Sequence, residues 1–286
     1  MANSNIIIEG IKWGRDRIRG DRADELYVDI QEGETLMNID KLRIVYRTDD
    51  KETVAVDDFT IDIKKGELVS IIGPSGCGKT TILRCIAGLL QPTSGTIMIG
   101  NNEVRGAGSD RGMVFQDFAL FPWRTVKQNV QFGMEMAGVP KEEREERAMR
   151  YIKAVGLEKF ADSRIHELSG GMKQRVGIAR ALVMHPAITL MDEPFGALDA
   201  QTKNIMQEQL VKIIMHSERT ILFVTHSVDE ALYLSDRVVI LTKRPSTIHK
   251  VVEVPWDRPR DRTNPEFTQM RKDILAYLED QNVMDN

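Results

Sequence analysis

The sequence lacks any apolar run long enough to cross a membrane. A spanning helix needs about 20 predominantly apolar residues, and charged residues interrupt every apolar segment of these 286 residues well before that length. The run Ile6–Ile8 stops at Glu9, so we expect no signal peptide there. We therefore expect a cytoplasmic chain, for which any membrane role depends on a partner.

Cysteine and excess positive charge are also scarce. Because there are only two cysteines, Cys77 and Cys85, we expect two reduced thiols rather than a disulfide or a metal site. The 39 Lys and Arg residues are outnumbered by 43 Asp and Glu residues. Nucleic acid is therefore not an expected partner, since general binding to it needs a concentrated basic surface.

Short apolar strands alternate with helical patterns along most of the chain. The predicted buried strands are 68–72, 113–115, 187–191, 221–225 and 238–241. Such alternation favours an α/β fold with a mainly parallel sheet and right-handed crossovers. From Ile39 onward, alternating apolar residues such as Leu42 and Ile44 predict half-buried strands on either side of a polar turn at 48–52.

Helical segments occupy the remaining patterned regions. Residues 125–160 are helical and strongly charged, which indicates a helical subdomain, at about 120–180, inserted between two strands. Apolar spacing predicts a helix from Ile82 to Leu90. Asn264 and Pro265 predict the start of a last helix, within a C-terminal tail at about 246–286. Residues 1–38, with a loose basic stretch, read as an extension before a main unit at 39–286.

A glycine-rich loop joins the first buried strand to the helix that follows it. It fits the pattern G-x-x-x-x-G-K-[ST]. Its glycines let the backbone N–H groups turn toward phosphate oxygens, and the helix N-terminus adds partial positive charge. We expect Lys79 to reach the β- and γ-phosphates and Thr80 to ligate Mg²⁺. The predicted nucleotide-binding residues here are Gly73, Pro74, Ser75, Gly76, Cys77, Gly78, Lys79, Thr80 and Thr81.

Two carboxylates, Asp192 and Glu193, end a later apolar strand. Ligands of parallel sheets bind at the carboxyl edge, where these side chains would lie. Adjacent carboxylates raise each other's pKa, and a bound cation opposes that rise, so the pair suits a metal site. We expect Asp192 to hold the Mg²⁺ shell, and Glu193 to orient or deprotonate the attacking water.

A second anion site is predicted where Ser169, Gly170 and Gly171 open a helix, because free N–H groups and a hydroxyl lie at its start. This stretch, Leu168 to Gln174, is similar to the signature of the ABC superfamily. The other motifs resemble the same family. The phosphate loop resembles its Walker A loop, Asp192–Glu193 resembles the end of its Walker B motif, and Gln116 resembles its Q-loop glutamine. Residues 196–199 resemble its D-loop, and His226 its switch histidine.

The resemblance covers about residues 39–278 and implies a P-loop NTPase with a RecA-like mainly parallel sheet, an antiparallel β subdomain and an inserted α-helical subdomain. It implies that two cassettes close head to tail around ATP and Mg²⁺, each phosphate loop facing the partner's signature. The implied catalytic residues are Glu193, His226 and Gln116. The implied metal ligands are Thr80, Gln116 and Asp192. The further implied nucleotide contacts are Tyr46 on adenine, and Ser169, Gly170, Gly171 and Asp199.

The segment after Gln116 and the stretch 237–260 resemble the nitrate, sulfonate and taurine importer branch of that family. This implies transmembrane permease partners, an extracytoplasmic solute-binding protein acting indirectly, and a peripheral position on the cytoplasmic face of the membrane. The aromatic residues Phe118, Phe121 and Trp123 suggest the permease-docking surface. The alternatives are a soluble ABC ATPase without a transporter, a small-molecule P-loop kinase and a regulatory module without turnover. The transported solute is not identifiable from this chain.

Overall fold

The computed structural model describes residues 30–48, 51–215 and 219–283, so residues 1–29 of the extension predicted at 1–38 lie outside it. In these ranges the strands are β1 (Thr35–Thr48), β2 (Lys51–Lys64), β3 (Leu68–Ile72), β4 (Ser94–Ile99), β5 (Asn102–Glu103), β6 (Arg111–Val114), β7 (Ile188–Asp192), β8 (Thr220–Val224), β9 (Arg237–Leu241) and β10 (Ile248–Glu253). The helices are α1 (Lys79–Ile86), α2 (Val126–Met136), α3 (Lys141–Ala154), α4 (Gly170–Leu182), α5 (Ala200–Met215), α6 (Val228–Leu234) and α7 (Pro265–Val283). Two short 3₁₀ segments, Glu158–Phe160 and Ile165–Glu167, precede α4.

A six-stranded sheet forms the centre of the fold, in the order β10-β9-β3-β8-β7-β6. The pairs from β9 to β6 are parallel, and β10 adds antiparallel to β9. Every residue of β3, β7 and β8 is buried, as expected for parallel strands covered on both faces. The predicted mainly parallel sheet is confirmed.

A second sheet, antiparallel, has the order β2-β1-β4-β5. Its buried side chains, among them Ile39, Leu42 and Ile61, share one apolar cluster with β3 and α1. This cluster fixes the antiparallel sheet beside the start of α1. The predicted antiparallel subdomain is confirmed, and β1 begins at Thr35, four residues before the pattern becomes regular at Ile39.

The prediction that the helix after the phosphate loop continues to Leu90 is wrong. The helix α1 ends at Ile86, and Leu89 is 52% exposed. Gly88 has a φ of 73°, and a Cβ there would lie 2.0 Å from the carbonyl oxygen of Gly106. The close approach of these two backbones requires the glycine and ends the helix.

Helices α2, α3 and α4 lie between β6 and β7 and form the inserted helical part. They bury Val126, Ile152 and Val176 in a single apolar cluster. The loop before α4 is tied to α2 by the Val126 N–H, which donates to the Ser163 carbonyl at 3.0 Å. None of the helices in the described ranges is long and apolar enough to cross a membrane. Helix α7 begins at Pro265 as predicted, and the Asn264 side chain accepts a hydrogen bond from the Glu266 N–H at 2.8 Å.

Candidate nucleotide-binding and catalytic site

The predicted site residues follow four neighbouring strands of the parallel sheet. Gly73 comes directly after β3, His226 two residues after β8, and Gln116 two residues after β6, whereas Asp192 ends β7. Since these strands are adjacent and parallel, their carboxyl ends meet at one edge. The fold therefore gathers residues that are up to about 150 positions apart in the sequence.

The phosphate loop, residues 73–80, holds its lysine inward. The Lys79 side chain is buried, and its Nζ donates to the carbonyl oxygens of Gly73 at 2.9 Å and Pro74 at 3.0 Å. Burial lowers the pKa of Lys79, while the nearby carboxylates oppose that change. Gly78 has a φ of 110° and closes the loop directly before α1. A cation whose close hydrogen-bond partners are carbonyl oxygens is well placed to pair with phosphate oxygens instead.

Thr80 and Asp192 meet across the site. The Thr80 hydroxyl donates to the Asp192 carboxylate at 3.0 Å, and Asp192 is 3% exposed. Burial raises the pKa of Asp192, and the hydrogen bond from Thr80 opposes the rise. Hydroxyl and carboxylate oxygens are the ligands that Mg²⁺ prefers, so this pair fits the ion. Among the described residues, no group of three or more His, Cys, Asp or Glu side chains could hold a metal by itself.

Glu193 and His226 form a close pair beside these groups. His226 Nε2 lies 2.6 Å from Glu193 Oε1, and the two side chains are 48% and 21% exposed, respectively. Glu193 adopts a left-handed φ of 48°, a conformation that costs about 1–3 kcal/mol for a non-glycine residue and is concentrated at functional sites. The pair is thus accessible and chemically suited to accept a proton from water. Gln116 is exposed, and no hydrogen bond joins it to this pair within the described chain.

Tyr46 lies on β1 near the start of α1. Its hydroxyl is 3.1 Å from the Thr81 hydroxyl, and the residue is 44% exposed. Such exposure shows that Tyr46 is not packed in the core. Its ring is instead available to a ligand beside the phosphate loop.

The signature serine and glycines lie against the predicted D-loop rather than the phosphate loop. Ser169 caps α4 by accepting from the Met172 N–H at 3.3 Å. A Cβ on Gly171 would lie 2.9 Å from Leu198 Cδ2, and Asp199 accepts from the Thr202 N–H at 3.0 Å. Within the described ranges, no hydrogen bond or ion pair connects Ser169–Gly171 with residues 73–80. Within one chain, the phosphate loop and the signature residues are therefore two separate groups.

Sequence reasoning missed Arg180, which connects two parts of the site. Its guanidinium donates to the carbonyl oxygens of Ala119 at 2.7 Å and Phe118 at 3.1 Å. Arg180 lies on α4, the helix opened by Ser169, and the acceptors follow Gln116. No local pattern marks this arginine, because its partners lie about 60 residues away.

Known proteins that are similar to this chain identify its family. Residues 56–196 match the family model described as ABC transporter. An ABC transporter ATP-binding protein of Methanocaldococcus jannaschii, MJ0412, is 52% identical over 86% of this chain and 92% of that protein. The nitrate import ATP-binding protein NrtD of Synechocystis is 48% identical over 79% of this chain and 88% of that protein. The taurine import ATP-binding protein TauB of Roseobacter denitrificans is 43% identical over 79% of this chain and 87% of that protein.

A solved relative extends the comparison to structure. The ATP-binding cassette MJ0796, determined as a dimer in a post-hydrolysis state bound to ADP and Pi, superposes with a TM-score of 0.71 at 32% identity. The match covers 77% of this chain and all of that one. The chain therefore belongs to the ABC transporter family, as one of its ATP-hydrolysing ATP-binding cassettes.

Proposed function

We propose that this cassette energises an importer for a small anion such as nitrate, taurine or an aliphatic sulfonate. The observation that carries the catalytic part is the Glu193–His226 pair, 2.6 Å apart at the sheet edge that also carries the phosphate loop. The importer part is supported by the relatives named for nitrate and taurine import.

Each of the site residues has its own proposed role in ATP hydrolysis. Lys79 and the N–H groups of the phosphate loop bind the triphosphate, and Tyr46 stacks on the adenine. Thr80, Asp192 and Gln116 hold Mg²⁺, which neutralises charge on the phosphates when it is bound. Glu193 orients the attacking water or takes its proton, and His226 holds Glu193 in place and contacts the γ-phosphate.

The complete site is shared by two copies of the chain. In the proposed head-to-tail dimer, the γ-phosphate bound by one copy contacts Ser169, Gly170 and Gly171 of the other, with Asp199 at the same interface. Support comes from the separation of these residues from the phosphate loop within one chain, and from the dimeric cassette that the fold resembles.

The surface after Gln116 is proposed to contact the transmembrane permease. Trp123 is 69% exposed, which disfavours a packing role and suits a docking residue. Because Arg180 links this segment to α4, movement at the signature would reach the docking surface. The cassette would lie peripherally on the cytoplasmic face of the membrane, with the solute-binding protein acting only through the permease. We propose that the cassette unit expected at 39–286 extends at its start to Thr35, where β1 begins, with the helical subdomain at about 120–180 and the tail at about 246–286.

Reconstitution tests the whole proposal. The chain is placed in proteoliposomes with the permease encoded beside it and the matching solute-binding protein, and ATP-driven uptake of nitrate and of taurine is measured. We expect uptake of one anion with the wild-type chain and none with Glu193→Gln. ATP hydrolysis without copurification of any polytopic membrane protein would instead identify a soluble ABC ATPase.

A further inference from the structure

We propose that Arg244 is a positioning residue of the ATP site, which holds the phosphate loop in its binding conformation. The Arg244 guanidinium donates twice to the carbonyl oxygen of Gly76, from Nε at 3.0 Å and from Nη2 at 2.7 Å. Gly76 lies in the middle of the phosphate loop, 168 residues earlier in the chain. This inference rests on the proposed ATP site and adds to it a residue that no sequence motif marks.

The turn that carries Arg244 is itself fixed. It connects β9 to β10, and β9 is the neighbour of β3, so the turn lies at the sheet edge where the phosphate loop begins. Ser246, fully buried, donates its N–H to the Ala55 carbonyl at 3.1 Å. The Ser246 carbonyl accepts from the Asp57 N–H at 2.9 Å. Strand β2 therefore anchors the turn from which the Arg244 guanidinium reaches the phosphate loop.

The contact fixes one peptide unit of the loop at both of its ends. Its carbonyl, that of Gly76, is bound by Arg244, and its N–H, that of Cys77, donates to the Pro74 carbonyl at 3.3 Å. Gly76 has a φ of 72°, where a glycine has many competing conformations in a free loop. Restricting them before the ligand arrives reduces the ordering cost of binding.

The positive charge of Arg244 also acts on the Cys77 thiol inside the loop. Burial raises the pKa of the Cys77 thiol, and the positive charges of Lys79 and Arg244 oppose that rise. Since Arg244 is exposed, its charge alone would attract nucleotide weakly and in a salt-dependent way. The hydrogen bonds to Gly76 predict a different, salt-insensitive contribution, which an experiment can separate from simple attraction.

The test is steady-state MgATP hydrolysis by the full chain carrying Arg244→Met, which keeps an unbranched apolar stem and removes the guanidinium with its donors. A preformed loop stabilises bound substrate and transition state equally, so its loss raises KM and leaves kcat in place. We expect KM to rise by at least about tenfold, the lower end of the range for loss of a charge-assisted hydrogen bond, with kcat within about twofold of wild type. The wild type to variant KM ratio should be the same at about 0.05 M and about 0.5 M salt.

Arg105→Met is the matched control, since it removes an 83% exposed arginine that pairs with Glu103 instead; its KM should not change. An unchanged KM for Arg244→Met, a kcat loss at constant KM, or a KM effect that vanishes at high salt each overturns the positioning role. Should Arg244→Met fail to fold, Arg244→Leu, which also lacks donors, takes its place with the same criteria. Hydrolysis by the wild-type chain keeps a failure of this inference distinct from a failure of the proposed function.

Discussion

Replacing Glu193 by glutamine is the most direct perturbation of the proposed chemistry. The change preserves the size of the side chain and removes its charge. Glutamine can still meet His226, which lies 2.6 Å from Glu193 Oε1, and the left-handed backbone at this position is unaffected. Because the Glu193 N–H already donates to the Val224 carbonyl at 3.0 Å, we expect the fold and the loop around it to persist.

The expected loss is in turnover alone. A positioned general base contributes about 10²- to 10⁴-fold to a rate, equivalent to about 3–5 kcal/mol of transition-state stabilisation. Binding of ATP depends on other groups, mainly Lys79 and the loop N–H groups, so the dissociation constant should stay within about threefold of the wild-type value. ATP-bound closed dimers should then accumulate, since hydrolysis no longer opens them.

Three measurements on the same preparations decide the matter: phosphate release, equilibrium nucleotide binding and the oligomeric state with MgATP. Glu208→Gln, an exposed carboxylate on α5, serves as the control and should hydrolyse ATP normally. Turnover of Glu193→Gln near the wild-type rate would exclude Glu193 as the catalytic carboxylate. Loss of ATP binding would show that Glu193 acts in binding rather than in chemistry.

Four further predictions address the rest of the site and the fold. A Lys79→Ala chain and a Ser169→Arg chain should each be inactive alone, and their verified heterodimer should regain one active site; an inactive heterodimer argues against composite sites. Tyr46→Ala should weaken ATP binding about fivefold, as for loss of about 1 kcal/mol of stacking, while Tyr46→Phe binds normally; equal affinities for Ala and wild type exclude stacking. Trp123→Ala should keep its melting temperature and ATP affinity but lose assembly with the permease, whereas early melting with retained transport would identify a core residue. Burial lowers the pKa of His185 to about 2. Below about pH 6.5 only the unfolded chain therefore takes up this proton, and the free energy of unfolding decreases as the pH falls, by up to about 1.4 kcal/mol per pH unit. His185→Gln should flatten that slope in melts between pH 7 and pH 5.

The parts of the site that lie together in the sequence were predictable from it. The phosphate loop is contiguous, and its glycines and lysine act through the local backbone, so one pattern specifies both the conformation and the chemistry. The strand before it is a continuous apolar run because it is buried on both faces. The end of α1 was not predictable in this way, because the approach of Gly106 to Gly88 is a tertiary contact.

Contacts between distant segments explain most of what the sequence left open. Arg180 reaches the segment after Gln116, and Arg244 reaches Gly76, in both cases by donating to backbone carbonyls. Every residue type carries the same backbone carbonyl, so neither contact produces a complementary pair of side chains that the sequence could reveal. Arginines of this kind are visible only once the sheet order has brought the turns and helices together.

The adjacent carboxylates show how the fold supports the two separate roles that were expected from the sequence. Successive residues of a strand point to opposite sides, yet both Asp192 and Glu193 belong to one site. The left-handed φ of 48° at Glu193 ends the strand geometry directly after Asp192. Asp192 is then buried against the Thr80 hydroxyl, while Glu193 faces the exposed His226. A buried carboxylate that already binds a hydroxyl suits the holding of Mg²⁺, and an accessible one beside an imidazole suits proton transfer, so the two partners agree with the proposed task of each carboxylate.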